Sequence, residues 1–174
     1  MLIGCLLVKH LPVKVELQRF PNLRGRPILI VQSLNTKRCI LDASEEADGV
    51  FSGMSIHEAS ALCPHGWFLE ADLPAYRKAF NDILIALANR SPFVEDGGLG
   101  TAYVDLTGLN ELYGGEARVI TTLISALPEI FTPQIGVAYG KYLAFIAAMM
   151  AQPSGAICPP DDIRKFFQDA SVDL

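Results

Sequence analysis

The chain has 174 residues, 51% of them hydrophobic, and carries a formal net charge of −5 at pH 7. This length fits one domain, or one domain with a small inserted lobe, and leaves enough apolar residues for a large core. No apolar run reaches the ~18 residues that cross a bilayer, and the apolar opening over 1–8 is too short for a secretory signal, so we expect a cytoplasmic protein. The acidic balance argues against strong nucleic-acid binding by this segment alone.

The cysteines show no CxxC spacing and lie in apolar contexts. They are Cys5, Cys39, Cys63 and Cys158. We expect buried free thiols here rather than disulfides or a zinc site.

Apolar periodicity and breaker residues predict the elements of the first half of the chain. They are a strand over 2–8, a short helix starting at Pro12, strands over 27–31 and 38–41, helices over 44–49 and 55–62, and a short strand over 67–69. Pro12 suits the first turn of a helix, and Ser55 suits the position that caps one.

The second half contains the clearest helix, over 74–90, with Asp72 at its cap and Tyr76 and Phe80 in its apolar stripe. After it follow a β-hairpin over 91–108, a helix over 116–127, a strand over 131–139, an apolar helix over 141–150, an extended pair at 157–158 and a last helix over 161–167. This mixed order favours an α+β fold, in which a sheet carries helices on one face and a small lobe is added.

The hairpin has an unusually bare tip. Its arms, over 92–95 and 99–106, flank an Asp-Gly-Gly sequence at 96–98. Glycines favour a tight reversal because they accept positive φ at no steric cost. In the second arm, strand alternation places Thr101 and Asp105 on one face.

Four motifs occur in order along nearly the whole chain. They are PNLRGRP at 21–27; GVFSGM at 49–54 with Glu58-Ala59 and Leu62-Cys63-Pro64; SPFVE at 91–95 with AYVDLTG at 102–108; and Gly136-Val137-Ala138 with Lys141, Ala144, Ile146-Ala147 and Pro153-x-Gly155. Together these motifs resemble the N-terminal part of the Y-family DNA polymerases, the translesion enzymes with a UmuC domain.

The resemblance implies a polymerase palm with a ferredoxin-like antiparallel sheet, formed by 1–19 and 71–174, and a small fingers-like lobe inserted over 20–70. The family continues into a thumb and a little-finger domain, which hold much of the DNA grip and have no counterpart in this sequence. We therefore expect either a truncated piece of such a protein or a palm and fingers that act alone.

Y-family polymerases hold two Mg²⁺ ions with three carboxylates, because a hard cation prefers oxygen ligands and the triphosphate charge must be neutralised. In this chain the position at the end of the first strand, nine residues before Glu16, is Leu7. The adjacent pair of acids in the hairpin is replaced by Gly100 and Thr101. All three metal ligands that the resemblance implies are missing, and we expect neither catalysis nor a metal cofactor.

The nucleotide pocket that the resemblance implies is altered as well. The positions are His10, Leu11 and Pro12 after the first strand, which include the steric gate against ribose; Ile40, Ala43 and Glu46 in the triphosphate clamp; and Phe145 at one of two basic positions, the other being retained as Lys141. Because Glu46 takes the place of an arginine, attraction for phosphate becomes repulsion.

These departures lead to the hypothesis of a non-catalytic protein, similar to the ImuB-like mutagenesis proteins, that acts as an adaptor in DNA damage tolerance. The resemblance implies a catalytic polymerase, the sliding clamp and a RecA-like accessory protein as partners, with weak DNA binding by this segment and no membrane. An alternative is an active nucleotidyltransferase with unusual metal ligands, for example Asp96 and Asp105 with Glu16. A third is a standalone binding module, which predicts that the reading frame ends near Leu174.

Overall fold

The structure, a computed structural model, describes residues 1–35, 37–152 and 156–157. Its helices are α1 (Leu11–Arg19), α2 (Ile56–Leu62), α3 (Leu73–Ala88), α4 (Leu109–Tyr113), α5 (Glu116–Ile124) and α6 (Lys141–Met150). Its strands are β1 (Leu2–Leu7), β2 (Ile28–Leu34), β3 (Lys37–Ala43), β4 (Trp67–Glu70), β5 (Val94–Asp96), β6 (Thr101–Asp105), β7 (Gln134–Tyr139) and β8 (Ala156–Ile157). Within the described residues, no helix is long and apolar enough to cross a membrane. The predictions for Cys158, the 161–167 helix and the Pro153-x-Gly155 motif fall outside the described residues.

The clearest departure from the sequence prediction lies around Ser44. The predicted helix over 44–49 is wrong, because this segment forms consecutive turns in which Ala47 N donates to Ser44 O at 2.9 Å and Val50 N to Ala47 O at 3.1 Å. Ser44 does not cap a helix, since its hydroxyl accepts from Ile28 N at 3.0 Å. The short α4 has no counterpart in the prediction, and α5 ends earlier than predicted.

The chain divides into two compact units. The first unit comprises Met1–Lys9 and Phe80–Leu174, and the second unit comprises His10–Ala79. Helix α3 therefore begins in the second unit and ends in the first. The assignment of 20–70 to a fingers-like lobe stays a prediction.

The first unit is built on a five-stranded sheet in the order β5-β6-β1-β7-β8. Strand β1 lies between β6 and β7 and is antiparallel to both, whereas β7 and β8 are parallel. Strands β5 and β6 form the predicted hairpin, closed by Gly97 N donating to Thr101 O at 2.9 Å, with Gly98 at a φ of 107°. A mainly antiparallel sheet combined with helices confirms the expected α+β class.

Helix α6 packs directly on the sheet at Gly136. A Cβ at this position would lie 2.1 Å from Ala144 O and 2.1 Å from Ala148 N, so only glycine allows the helix to approach β7 this closely. The interface is a hydrophobic cluster of buried residues from β1, β7 and α6: Ile3, Cys5, Leu7, Ala138, Ala144 and Ala148. The close approach fixes α6 over the face of β1 that carries Leu7.

The second unit has a three-stranded sheet in the order β3-β2-β4, in which β2 is antiparallel to β3 and parallel to β4. One face of β2 contributes to a cluster with β3, α2 and the loop between them: Leu29, Val31, Ile40, Ala43, Ala47, Met54 and Ala59. Ser55 and Glu58 form a capping box at the start of α2, which confirms the predicted cap.

Helix α1 and the start of α3 are joined by a polar network within the second unit. Tyr76 Oη donates to the buried Glu16 carboxylate at 2.9 Å. Arg19 bridges Glu16 and Asp72, at 3.2 and 2.9 Å. Asp72 also accepts from Ala75 N at 3.1 Å, which confirms it as the cap of α3. Glu16 is therefore paired and hydrogen-bonded, as a buried carboxylate must be.

Candidate functional site

The three positions at which the resemblance places metal ligands lie together at one end of β1 and β6. Leu7 and Thr101 are opposite one another in the antiparallel register. Val8, the next residue along, donates its N–H to Gly100 O at 2.7 Å. The motifs therefore select positions that the fold brings together, although none of these residues carries a carboxylate.

Leu7 lies in apolar surroundings. Its exposed fraction is 8%, and it belongs to the cluster between β1, β7 and α6. Phe145, at the altered basic position, packs against the same cluster. The resemblance assigns Leu7 to metal binding and Phe145 to triphosphate binding. Both residues instead pack in one hydrophobic core, where a charged ligand would lose its hydration.

These residues do not fit a magnesium ion, which takes hard oxygen ligands in near-octahedral geometry. Leu7 offers only methyl groups, and Gly100 O already accepts from Val8 N. The hydroxyl of Thr101 is a neutral oxygen, without the charge that a carboxylate brings to a divalent cation. In the part of the chain that the structure describes, no three His, Cys, Asp or Glu side chains are grouped so that they could hold a metal ion.

Lys141, the retained lysine, is engaged by an acid. Its ammonium lies 2.6 and 2.5 Å from the two carboxylate oxygens of Glu95 and 5.7 Å from the centre of the Tyr103 ring. Partial burial raises the pKa of the Tyr103 hydroxyl. The three side chains line an open hollow of about 600 Å³ on the first unit, together with Met1, Ile3, Pro92, Phe93, Val94 and Asp105. Glu95 thus neutralises the cation that the resemblance would direct at phosphate.

In the second unit, His10 begins α1 with a left-handed backbone at a φ of 53°. Its Nδ1 lies 2.8 Å from Asp42 Oδ1, while Asp42 Oδ2 accepts from Val13 N at 3.2 Å. One carboxylate therefore holds both the histidine and the first turn of the helix. The hydrogen bond to Asp42 raises the pKa of His10, against the opposing effect of burial. Leu11 and Pro12 are buried.

Two of the three clamp positions are core residues. Ile40 and Ala43 are buried in the cluster around β2. Glu46 lies exposed in the turns that follow β3. Neither Ile40 nor Ala43 presents a polar side chain, and Glu46 presents a negative charge, so the three positions offer a triphosphate no attraction.

The acids of the alternative metal site have other partners. Asp96 and Asp105 each accept a hydrogen bond at 2.8 Å from the backbone N–H two residues further on, and the hydrogen bonds from Thr107 lower the pKa of Asp105. Because Asp96 pairs with Ala102, strand alternation places Asp96 and Asp105 on opposite faces of the sheet. Glu16 belongs to the second unit and is held in the network with α3.

Two features escape the sequence reasoning: the His10–Asp42 pair and the hollow around Lys141. No motif or periodicity relates residues 10 and 42, which come together only when α1 packs against β3. The sequence does contain a partial signal for the hollow, because Glu95 and Lys141 carry opposite charges and each lies within a motif of the Y-family resemblance.

Comparisons with known proteins agree with this architecture. The family described as impB/mucB/samB matches residues 6–149. The chain is 32% identical over 146 residues to DNA polymerase IV of Staphylococcus haemolyticus, which covers 82% of this chain and 41% of that protein. It is 35% identical over 148 residues to DNA polymerase IV of Dehalococcoides mccartyi, which covers 82% of this chain and 38% of that protein. The chain thus spans about two fifths of the length of these curated relatives.

Solved structures show the same likeness. DinB from Sulfolobus solfataricus matches with a TM-score of 0.83 and 26% identity, over 95% of this chain and 50% of that chain. The post-insertion binary complex of Dbh DNA polymerase matches with a TM-score of 0.81 and 26% identity, over 92% and 49% of the two chains. The fold is therefore that of a Y-family polymerase palm. The chain belongs to the impB/mucB/samB family and is a Y-family DNA polymerase-like protein, which confirms the resemblance found in the sequence.

Proposed function

We propose that this chain is the palm and fingers part of a non-catalytic Y-family protein, similar to the ImuB-like mutagenesis proteins, that acts as an adaptor in DNA damage tolerance. In this role the fold serves protein contacts and adds no nucleotide to a primer. The protein works in the cytoplasm, with a catalytic polymerase, the sliding clamp and a RecA-like accessory protein as partners. Its own binding to DNA is weak, in keeping with the net charge of −5.

The main observation in support of the proposal is the environment of Leu7. The Y-family resemblance implies a carboxylate at the end of β1, where it would help to hold the cations of a two-metal mechanism. Here the position is occupied by a leucine that is packed with Ala144 and Ala148 of α6. The surrounding residues are adapted to an apolar side chain, so the change extends beyond the single position.

Two further observations support the same conclusion. Glu46 places negative charge at a clamp position, which repels a triphosphate. Lys141 is already paired with Glu95 at 2.5 Å, so its charge is compensated within the first unit.

Calorimetric titration with Mg²⁺ or Mn²⁺ in the presence of a nucleoside triphosphate tests the proposal. After the heat of the same titration without protein is subtracted, we expect no saturable heat that depends on the metal, because no carboxylate stands at Leu7, Gly100 or Thr101. The Glu46→Arg variant is a matched control: it replaces repulsion by attraction for phosphate and adds no metal ligand, so its heats are also expected to be independent of metal. Saturable, metal-dependent binding by the parent chain would contradict the adaptor proposal.

The alternative, an active nucleotidyltransferase, is favoured by one observation: the relatives at 32% and 35% identity are named DNA polymerase IV. Its metal would be held by unusual ligands such as Asp96, Asp105 and Glu16. If the parent chain shows metal-dependent binding, the variants Asp96→Asn and Asp105→Asn must abolish it under this alternative. Retention of that binding in both variants would exclude these ligands.

A further inference from the structure

Strand β4 is an edge of the second unit that none of the candidate site positions occupies. Among the described strands it pairs only with β2. Two of its four side chains are aromatic and accessible: Trp67 is 45% exposed and Phe68 is 36% exposed. Edge strands with exposed apolar side chains are normally blocked or covered, because their free backbone groups attract another chain.

The backbone of β4 directs hydrogen-bonding groups outward. Trp67 N donates to Pro27 O and Ala71 N donates to Val31 O, both at 2.8 Å. In a parallel pair, alternate residues of a strand bond to the same neighbour. The N–H and C=O of Phe68 therefore point away from β2, in the direction in which a further strand would pair.

The two faces of β4 differ in chemistry. The guanidinium carbon of Arg26 lies 5.8 Å from the centre of the Trp67 ring. Arg26 is exposed, and among the described residues it forms no ion pair with a carboxylate. Phe68 pairs with Leu29 and lies on the opposite face, which continues into the apolar cluster. The edge thus carries a cation beside Trp67 on one face, and on the other face Phe68 adjoins the apolar cluster.

We propose that β4 accepts an added strand from a partner protein, an extended segment in which acidic and apolar side chains alternate. The acidic side chains lie over Trp67 and Arg26, the apolar side chains lie beside Phe68, and main-chain hydrogen bonds to the open edge supply affinity. The acid of β4 itself, Glu70, lies on the face of Phe68 and is paired with Arg38, so it adds no negative charge beside Trp67 and Arg26. The inference does not depend on the loss of catalysis, since none of these residues stands at a metal or triphosphate position.

Single-stranded nucleic acid is the less suitable occupant of this surface. Bases would stack on Trp67 beside Arg26, as aromatic and arginine side chains permit. Bases stacked in this way would leave the apolar face around Phe68 and the outward backbone groups of β4 without partners. An alternating peptide strand uses all three features.

Trp67 makes the test direct, because it is the one tryptophan of the chain and its fluorescence reports on this edge alone. The probe is a capped synthetic peptide of alternating glutamate and valine, compared with a peptide of alternating lysine and valine. We expect the glutamate peptide to change the Trp67 emission saturably and the lysine peptide to leave it unchanged. Absence of a response to the glutamate peptide up to millimolar concentration, or an equal response to both peptides, overturns the proposal.

Three variants keep Trp67 as the reporter. Phe68→Pro and Phe68→Ala both remove the aromatic ring, but only proline removes the outward N–H, so we expect Phe68→Pro to abolish peptide binding and Phe68→Ala to weaken it. Arg26→Glu is expected to weaken binding by about tenfold or more. If Phe68→Pro alters the circular dichroism of the chain, Arg26→Glu decides the question alone. Unchanged affinity in Arg26→Glu overturns the proposal, as does a Trp67 response to oligothymidylate in place of the peptide.

Discussion

His10 combines a left-handed backbone, at a φ of 53°, with a side-chain hydrogen bond to Asp42 that alters its titration. The hydrogen bond to Asp42 raises the pKa of His10, the nearby Glu45 adds to the effect, and Lys14 opposes it. A pKa raised in the folded state means that protonation stabilises folding. This contribution is full below the ordinary value of 6.5 and is lost as the pH rises through the higher folded value.

The variant His10→Asn tests this pair. Asparagine tolerates the left-handed backbone and can still bond to Asp42, but it cannot become charged. We expect the free energy of unfolding of the parent to exceed that of the variant most clearly below pH 6.5, and the difference to shrink at higher pH. The side chain of His10 is 38% exposed, so solvent screening limits the effect to less than about 1 kcal/mol. Urea unfolding at a series of pH values measures it, and a difference that grows with pH would contradict the assignment.

Single residues also show what the sequence could and could not reveal about the site. The positions Leu7, Gly100 and Thr101 follow from motifs because their flanking residues are retained, and the register of β1 and β6 then brings these positions together. The pairing of His10 with Asp42 could not be predicted, because 32 residues separate them and only the packing of the unit creates the contact.

Helix α6 is positioned by a contact that a single glycine permits. At Gly136 an added Cβ would meet backbone atoms of α6, which cannot rotate away as a side chain can. We expect Gly136→Ala to lower the free energy of unfolding by about 3 kcal/mol, in the range of severe overpacking. Gly4→Ala is the matched control in the same sheet, since its Cβ would lie 3.2 Å from the flexible Leu106 side chain. Its loss should be about 1 kcal/mol. Equal losses in the two variants, measured by denaturant unfolding, would show that α6 moves freely.

Elements were predictable where the chain carries its own local signals. Ser55 with Glu58, and Asp72 with Ala75, mark the starts of α2 and α3 through hydrogen bonds within four residues, so sequence alone locates them. The segment after β3 was not predictable in this way. The hydroxyl of Ser44 bonds to β2, and this tertiary contact replaces the helix that the local pattern favours.

The two sets of altered positions belong to different units of the molecule. Leu7, Gly100 and Thr101 lie in the first unit, whereas Glu46 lies in the second. Under the proposed function, catalysis would therefore require substitutions in both units. The sequence shows the same division, because in each unit the altered positions lie between segments that match the motifs of the family.

Primer extension with Mg²⁺ tests this conclusion on the combined variant Leu7→Asp, Gly100→Asp and Thr101→Glu. We expect no extension, because a triphosphate still meets the negative charge of Glu46. Two of the new carboxylates also lie in unfavourable surroundings. Leu7→Asp places a charge in the apolar cluster under α6, and Gly100→Asp places a side chain at a φ of 86°. Extension should require Glu46→Arg in addition, and circular dichroism must show that both variants retain the fold. Extension by the triple variant alone would mean that the clamp does not lie at Glu46 and that the proposed inactivity needs only the missing metal ligands as its cause.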